Sequence, residues 1–210
     1  MKKIVVCCIS FTLALTGCNK LHESVVDNHI VVTQKGGKTI AYSPESGINI
    51  LYEDGYAFKD LNRNGSIDVY EDWRRSASER AENLASQMSI EEIAGLMLYS
   101  KHMAIPHISS SDPMKYTYGG KSFADSGADT TDLSDNQKVA LKDDNLRHIL
   151  VTKVSSPSAA ARWNNNLQAF AESLPLGIPA NNSSDRRNET RATDEFNEGS
   201  GGQASRWPTP

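Results

Sequence analysis

The chain has 210 residues, 38% of them hydrophobic, and 26 acidic against 22 basic side chains give it a formal charge of −4. That length suits one domain with a sizeable core, and the acidic balance gives no reason to expect nucleic acid as a partner. All three cysteines, Cys7, Cys8 and Cys18, lie at the extreme N-terminus, so a processed chain has no thiol free for a disulfide, a thiolate nucleophile or a zinc site.

Residues 1–17 read as a lipoprotein signal peptide. Met1-Lys2-Lys3 is its basic start, and the apolar run from Ile4 to Leu15 is too short to span a membrane as a mature helix. Leu15-Thr16-Gly17-Cys18 resembles a bacterial lipobox, which implies cleavage before Cys18 and acylation of that residue. Loss of Lys2 and Lys3 moves the formal charge from −4 to −6. The expected partner at this end is a membrane, reached through the lipid anchor, and the expected location is the bacterial cell envelope. Periplasmic and outer-membrane faces both stay open. Residues 18–28 follow as a polar tether.

Residues 29–75 are expected to form a β region. Ile30-Val31-Val32-Thr33 and Thr39-Ile40-Ala41-Tyr42 flank Gly36-Gly37 as a hairpin, and a second extended stretch from Ile48 to Phe58 breaks at Asp54-Gly55. It runs into DLNRNGSIDVYE, residues 60–71. Here Asp60, Asn62, Asn64, Ser66, Asp68 and Glu71 take positions 1, 3, 5, 7, 9 and 12 of an EF-hand-like calcium loop. Gly65 stands at the sharp turn that needs positive φ. Oxygen donors at alternate residues converge on one point, and such hard donors suit Ca²⁺. An Asx-rich turn without metal explains the same residues, and both readings stand. No organic cofactor is expected.

After this loop the period becomes helical. Ser78 is a candidate cap for a helix with Ala81, Leu84, Ala85 and Met88 on one stripe. Ser89-Ile90-Glu91-Glu92 is a capping box for a second helix, with Ile93, Leu96 and Met97 expected inward. Residues 100–137 show no usable period and read as a long loop. His102 and His107 lie in it at a spacing that fits no simple helical metal pair. Order returns at Arg147. His148–Thr152 reads as a buried strand, and Ser156-Pro157 opens a helix with Trp163, Leu167, Phe170, Ala171 and Leu174 on one face. Ile178–Ser183 reads as a second strand, completing a βαβ unit with a parallel sheet. Polar residues just past such a strand, Asp185 among them, sit where α/β barrels place their chemistry. A helix cap or a loop ion pair with Arg187 is the alternative for Asp185.

The run FKDLNRNGSIDVYEDWRRSASERAENLASQMSIEEIAGLM resembles the opening of family 3 glycoside hydrolases, the β-glucosidase and exo-glucanase type. LPLGIPANNSSDRRNETRATDEF and GSGGQASRWPTP resemble the next landmarks of their N-terminal domain, in the same order, so the likeness covers roughly residues 56–210. The resemblance implies an α/β fold. For this chain that is a partial (β/α)₈ TIM-type barrel over residues 76–210, preceded by the short β-hairpin region and incomplete here. It implies retaining hydrolysis of terminal β-glycosyl residues, with an oligosaccharide or β-glucoside as substrate. It also makes Asp185 the residue that binds hydroxyls of the terminal sugar. Arg186 and Asn188-Glu189 depart from the family pattern at that loop. The family's nucleophile and acid/base carboxylates fall on later segments, so no catalytic residue is assigned in this chain and no turnover is expected of it alone. The alternative is an inactive lipid-anchored module that binds Ca²⁺ or sugar, or a remnant without function.

Overall fold

The computed structural model describes residues 21–183. Strands β1 (Leu21–Val26), β2 (His29–Gln34) and β3 (Ile40–Tyr42) form an antiparallel sheet in chain order. The hairpin expected around Gly36-Gly37 pairs Ile30 with Tyr42 and Val32 with Ile40, and Gly36 turns at φ 80°. Strand β1 corrects the expected tether. It pairs with β2 along its whole length, from Leu21 opposite Gln34 to Val26 opposite His29. Val25 and Val26 remain exposed, so ladder hydrogen bonds rather than apolar burial hold this strand, and hydrophobic patterning gave no sign of it.

Strands β4 (Asn49–Glu53) and β5 (Tyr56–Asp60) form a second hairpin, closed by Asp54 at φ 53° and Gly55 at φ 79°. Two successive left-handed residues match the natural twist of a two-residue hairpin. The buried Gln34 joins the two sheets. Its Oε1 accepts the Ala57 N–H at 2.7 Å, and its Nε2 donates to the Ala57 carbonyl at 3.2 Å.

Helix α1 (Ala77–Gln87) begins two residues earlier than Ser78 would require. Ser76 is the cap: its hydroxyl accepts the Glu79 N–H, and Glu79 accepts the Ser76 N–H at 2.9 Å, a reciprocal pair that Ser78 cannot form from inside the first turn. Helix α2 (Ile90–Leu96) starts from the expected Ser89–Glu92 box. Its predicted apolar face does not point into a core. Ile93 is 40% exposed and Met97 81%, while Ile90 is also 81% exposed and Leu96 half-buried. What anchors α2 is Gly95, where a Cβ would lie 2.5 Å from that of Asn145 and 2.6 Å from the Asp144 carbonyl.

The stretch expected as a long loop contains ordered elements: β6 (Tyr99–Ile105), the short α3 (Phe123–Ser126) and α4 (Asp135–Lys142). Ser134 caps α4 with Gln137 as its reciprocal partner, an S-x-x-Q signal visible in the sequence. Strand β6 escaped notice because its register shifts twice against its neighbour, which breaks the alternation of side chains. Then come β7 (His148–Val154), α5 (Pro157–Ser173) and β8 (Asn181–Ser183). The three strands are parallel, in the order β6-β7-β8.

Helix α5 begins as expected, Ser156 capping Ala159 N–H and Pro157 in the first turn. Trp163, Leu167, Ala171 and Leu174 are buried. Trp163, Leu167 and Leu174 pack with Ile149 and Val151 of β7 and Met103 and Ile105 of β6 into the main core. Burying such side chains contributes about 1.5–3 kcal/mol each. Arg147, also buried, ties α4 to the approach to β8: Nη1 donates to the carbonyls of Leu141 and Leu146, and Nε to that of Ile178. The observed class is mixed α/β with a parallel sheet. No closed barrel exists among the described residues, and β6 and β8 each end the sheet order with one strand neighbour. No helix among them is long and apolar enough to cross a membrane.

Candidate functional site

The loop 60–71 leaves the end of β5, so the sheet hydrogen bonds that place Asp60 also set its first ligand position. Asp60 is completely buried. Its Oδ1 accepts the Asn64 N–H at 3.0 Å, and its Oδ2 accepts the Gly65 N–H at 3.1 Å and the Asn49 side chain at 3.3 Å. Gly65 adopts φ 78°, the left-handed conformation expected at the sixth position. Asn62 and Asn64 both donate through Nδ2 to the same Asp68 Oδ2, each at 2.7 Å. Their carbonyl oxygens accept the N–H groups of Asn64 and Ser66 respectively, and Ser66 is exposed.

Glu71 closes the loop. It is buried, and its Oε1 accepts the N–H of Leu61 at 2.7 Å and of Asn62 at 3.2 Å, while Oε2 accepts that of Asp68 at 2.9 Å. Burial pushes its pKa up against the pull of those three backbone donors. The structure thus brings Asp60, Asn62, Asn64, Asp68 and Glu71 into one hydrogen-bonded loop. Their oxygens are chemically suited to Ca²⁺, but the Asp60 and Glu71 carboxylates are turned to backbone N–H groups and the Asp68 carboxylate to the side-chain amides of Asn62 and Asn64. Among the described residues no set of three or more His, Cys, Asp or Glu side chains is gathered for a metal.

Sequence reasoning missed Arg63, the fourth loop residue. It adopts φ 60° and donates to the carbonyls of Ser46, Gly47 and Glu172, fastening the loop to the end of α5. Lys59 pairs with the Glu172 side chain across the same junction. A single half-buried basic residue between two Asn had no periodic signal to mark it. Asp72 was missed as well: it is buried and accepts from Arg74 Nε at 2.8 Å and Nη2 at 2.9 Å, and Arg74 holds its pKa below the ordinary value.

At the sheet, Tyr99 stacks on His148 with ring centres 6.0 Å apart and shares a hydroxyl hydrogen bond with Ser183. Asn181 Nδ2 and His148 Nδ1 lie 3.1 Å apart. Asp185, two residues past β8, and Cys18 both lie outside the described residues. His107 stands two residues past the C-terminal end of β6. It is buried, stacked on Tyr116 at 3.7 Å, with Nδ1 2.8 Å from the Ser134 hydroxyl. Burial, and then the charge of Lys115, lowers its pKa to about 4. The neutral ring suits a hydrogen-bond acceptor for the hydroxyl that caps α4. His102 is exposed on β6.

Parallel strands alternating with helices follow the short β region and this loop, and the family 3 glycoside hydrolase likeness of the chain rests on its sequence similarity to one relative. Over 164 residues the chain is 34% identical to the periplasmic β-glucosidase/β-xylosidase of Dickeya chrysanthemi. The matched stretch is 77% of this chain and 22% of that protein, so the chain spans about a fifth of its relative's length. No family model matches the chain.

Proposed function

We propose that this chain is the N-terminal part of an exported β-glucosidase-like glycoside hydrolase. The 34% identity to a periplasmic β-glucosidase/β-xylosidase over 77% of the chain carries this reading. The β6-α4-β7-α5-β8 order supports the finer proposal that residues 76–210 contribute to a (β/α)₈ TIM-type barrel. The exposed Ile90, Ile93 and Met97 of the α2 region fit this proposal as a face that further barrel elements would cover. The periplasmic description of the relative, with the signal-like residues 1–17, supports an envelope location anchored through Cys18.

The reaction proposed for the longer protein is retaining hydrolysis of terminal, non-reducing β-D-glycosyl residues. It requires a nucleophilic carboxylate and an acid/base carboxyl roughly 5 Å apart, which we place beyond this chain. The part assigned here is substrate binding: Asp185 accepts hydrogen bonds from hydroxyls of the terminal sugar. The test compares this chain with a longer polypeptide on an aryl β-glucoside and an aryl β-xyloside. The expected result is turnover only by the longer protein, weakened by Asp185→Ala. Turnover by the 210-residue chain itself, lost in Asp185→Ala, would overturn the division of labour.

A second reading concerns loop 60–71. Asp60, Asn62, Asn64, Asp68 and Glu71 lie in one closed loop around Gly65, and a structural Ca²⁺ is proposed to bind there, with Ser66 as a further donor, in place of the hydrogen bonds that the carboxylates now accept. Bound calcium would supply a fixed positive charge at the junction of β5 and α1. In the absence of hydrolysis this loop is the basis of the alternative, a lipid-anchored module that binds Ca²⁺ or sugar. A rise in melting temperature with added Ca²⁺, absent in Glu71→Gln, tests it.

A further inference from the structure

A polar groove of about 730 Å³ runs along α5, where Asn166, Ala169, Phe170 and Ser173 form one wall. It continues into a second hollow of about 270 Å³, which shares Asn28 and Asn166 and adds Asp27, Arg162 and Asn165. The opposite wall comes from the N-terminal β region, through Asn28 in the β1–β2 turn and Glu45 before β4. Trp163 and Leu167 of α5 pack into the main core, which Phe170 borders from the groove. The trough is thus elongated, open, and built between two parts of the chain.

Its side chains are fixed at the base and unused at the tip. Asn166 donates through Nδ2 to the Thr131 carbonyl at 3.0 Å, which orients its amide, and its Oδ1 has no donor among the described residues. Asp132 accepts the Asp129 N–H through Oδ2 at 2.8 Å, and its Oδ1 accepts no hydrogen bond among the described residues. Asn28, Glu45, Lys138, Arg162 and Asn165 make no side-chain hydrogen bond or close ion pair among the described residues, while Arg162 and Lys138 act at longer range on the carboxylates of Asp129 and Asp135. Leu133 and Tyr118, both buried, and the half-buried Phe170 supply an apolar floor.

This composition selects a class of ligand. Asp27, Glu45 and Asp132 nearly balance Lys138 and Arg162, so the trough has no strong field for a polyanion or a polycation. Amides and single charges of both signs offer donors and acceptors together, which complements hydroxyl groups, each of which donates and accepts. A narrow apolar floor accommodates the C–H face of a pyranose ring. We infer that this groove is a non-catalytic binding site for a neutral oligosaccharide, held across α5 and the N-terminal β region. The inference deepens the proposed glycoside-hydrolase reading and rests on it for the choice of sugar. Its function would be to retain a chain of sugars on the protein independently of hydrolysis.

Cellotetraose and xylotetraose titrated into the ¹⁵N-labelled 210-residue protein test the assignment. Saturable shifts are expected at the side-chain amides of Asn28, Asn165 and Asn166. Glu45→Ala, Lys138→Ala and Arg162→Ala alter exposed residues, so folding is preserved, and each should weaken binding by about tenfold or less. Shifts confined elsewhere, or none into the millimolar range, would remove the site. Tighter binding of a sulfated oligosaccharide than of the neutral ones would overturn the ligand class. The longer protein separates the two proposals. Hydrolysis without trough shifts refutes the groove alone, and trough shifts without hydrolysis refute the enzyme reading while the groove stands.

Discussion

The N–H of Leu61 donates to Glu71 Oε1 at 2.7 Å, joining the second residue of the loop to its last. With the Asn62 and Asp68 N–H groups on the same carboxylate, one side chain closes the whole turn. Glu71→Gln keeps the shape but removes one acceptor oxygen and the charge. It should cost about 1–3 kcal/mol, because at least one buried N–H loses its partner. Urea denaturation of the two proteins without calcium measures this. An unchanged midpoint would mean that the carboxylate does not close the loop. Calcium added afterwards reads out the metal proposal separately.

His107 makes the fold sensitive to acid. Its pKa is lowered from 6.5 to about 4 by burial and by Lys115, so between these values the unfolded chain binds a proton that the folded chain refuses. Stability from this group is full above about pH 6.5 and is lost as pH falls toward about 4, with a slope of at most about 1.4 kcal/mol per pH unit. Replacement by Gln should flatten that part of the profile. Thermal melts across this range, with and without the substitution, provide the check. Parallel profiles for the two proteins would count against the assignment.

Among the described residues Trp163 is the largest of the fully buried side chains, and its indole N–H has no hydrogen-bond partner there. Trp163→Ala should cost about 3–5 kcal/mol through the cavity it leaves between α5 and the sheet. Trp163→Phe should cost clearly less, since it removes the unpaired donor while keeping a ring in place. Denaturant midpoints of the two variants rank them. Equal losses would show that ring volume alone matters there.

Met97 and Ile90 offer the opposite case. At 81% exposure each, their replacement by Lys should change the stability of this chain by no more than about 0.5 kcal/mol. In the longer protein the same substitutions should be strongly destabilising if barrel elements cover this face. Melting both lengths side by side decides the matter. Tolerance in both would leave the face as an ordinary exposed surface.

Much of the architecture was legible because local rules and tertiary packing agree. The Ser156-Pro157 start, the 3.6-residue stripe through Trp163, Leu167 and Ala171, and the Asp54-Gly55 turn all formed as their residues direct. Strand β1 was hidden because pairing with β2, rather than apolar alternation, specifies it. Strand β6 was hidden by its register shifts, and the capping box at Ser134 lay unused within a stretch read as loop. On α2 the pattern misled. An amphipathic helix declares which face is apolar, but burial depends on whether another element lies against it.

The candidate site divides in the same way. The order and spacing of Asp60, Asn62, Asn64, Ser66, Asp68 and Glu71, with Gly65 between them, determined that the chain would close a tight oxygen-lined loop, because that geometry is local. Residues 56–210 carried the family resemblance for the same reason, as motifs in a fixed order. Only the tertiary structure decided that the Glu71 and Asp60 carboxylates turn to backbone N–H groups, and that Arg63 pins the loop to the carbonyl of Glu172. It alone made a polar trough from Asn28 and Asn166. Residues so far apart along the chain have no spacing rule, since their meeting depends on how separately formed elements pack.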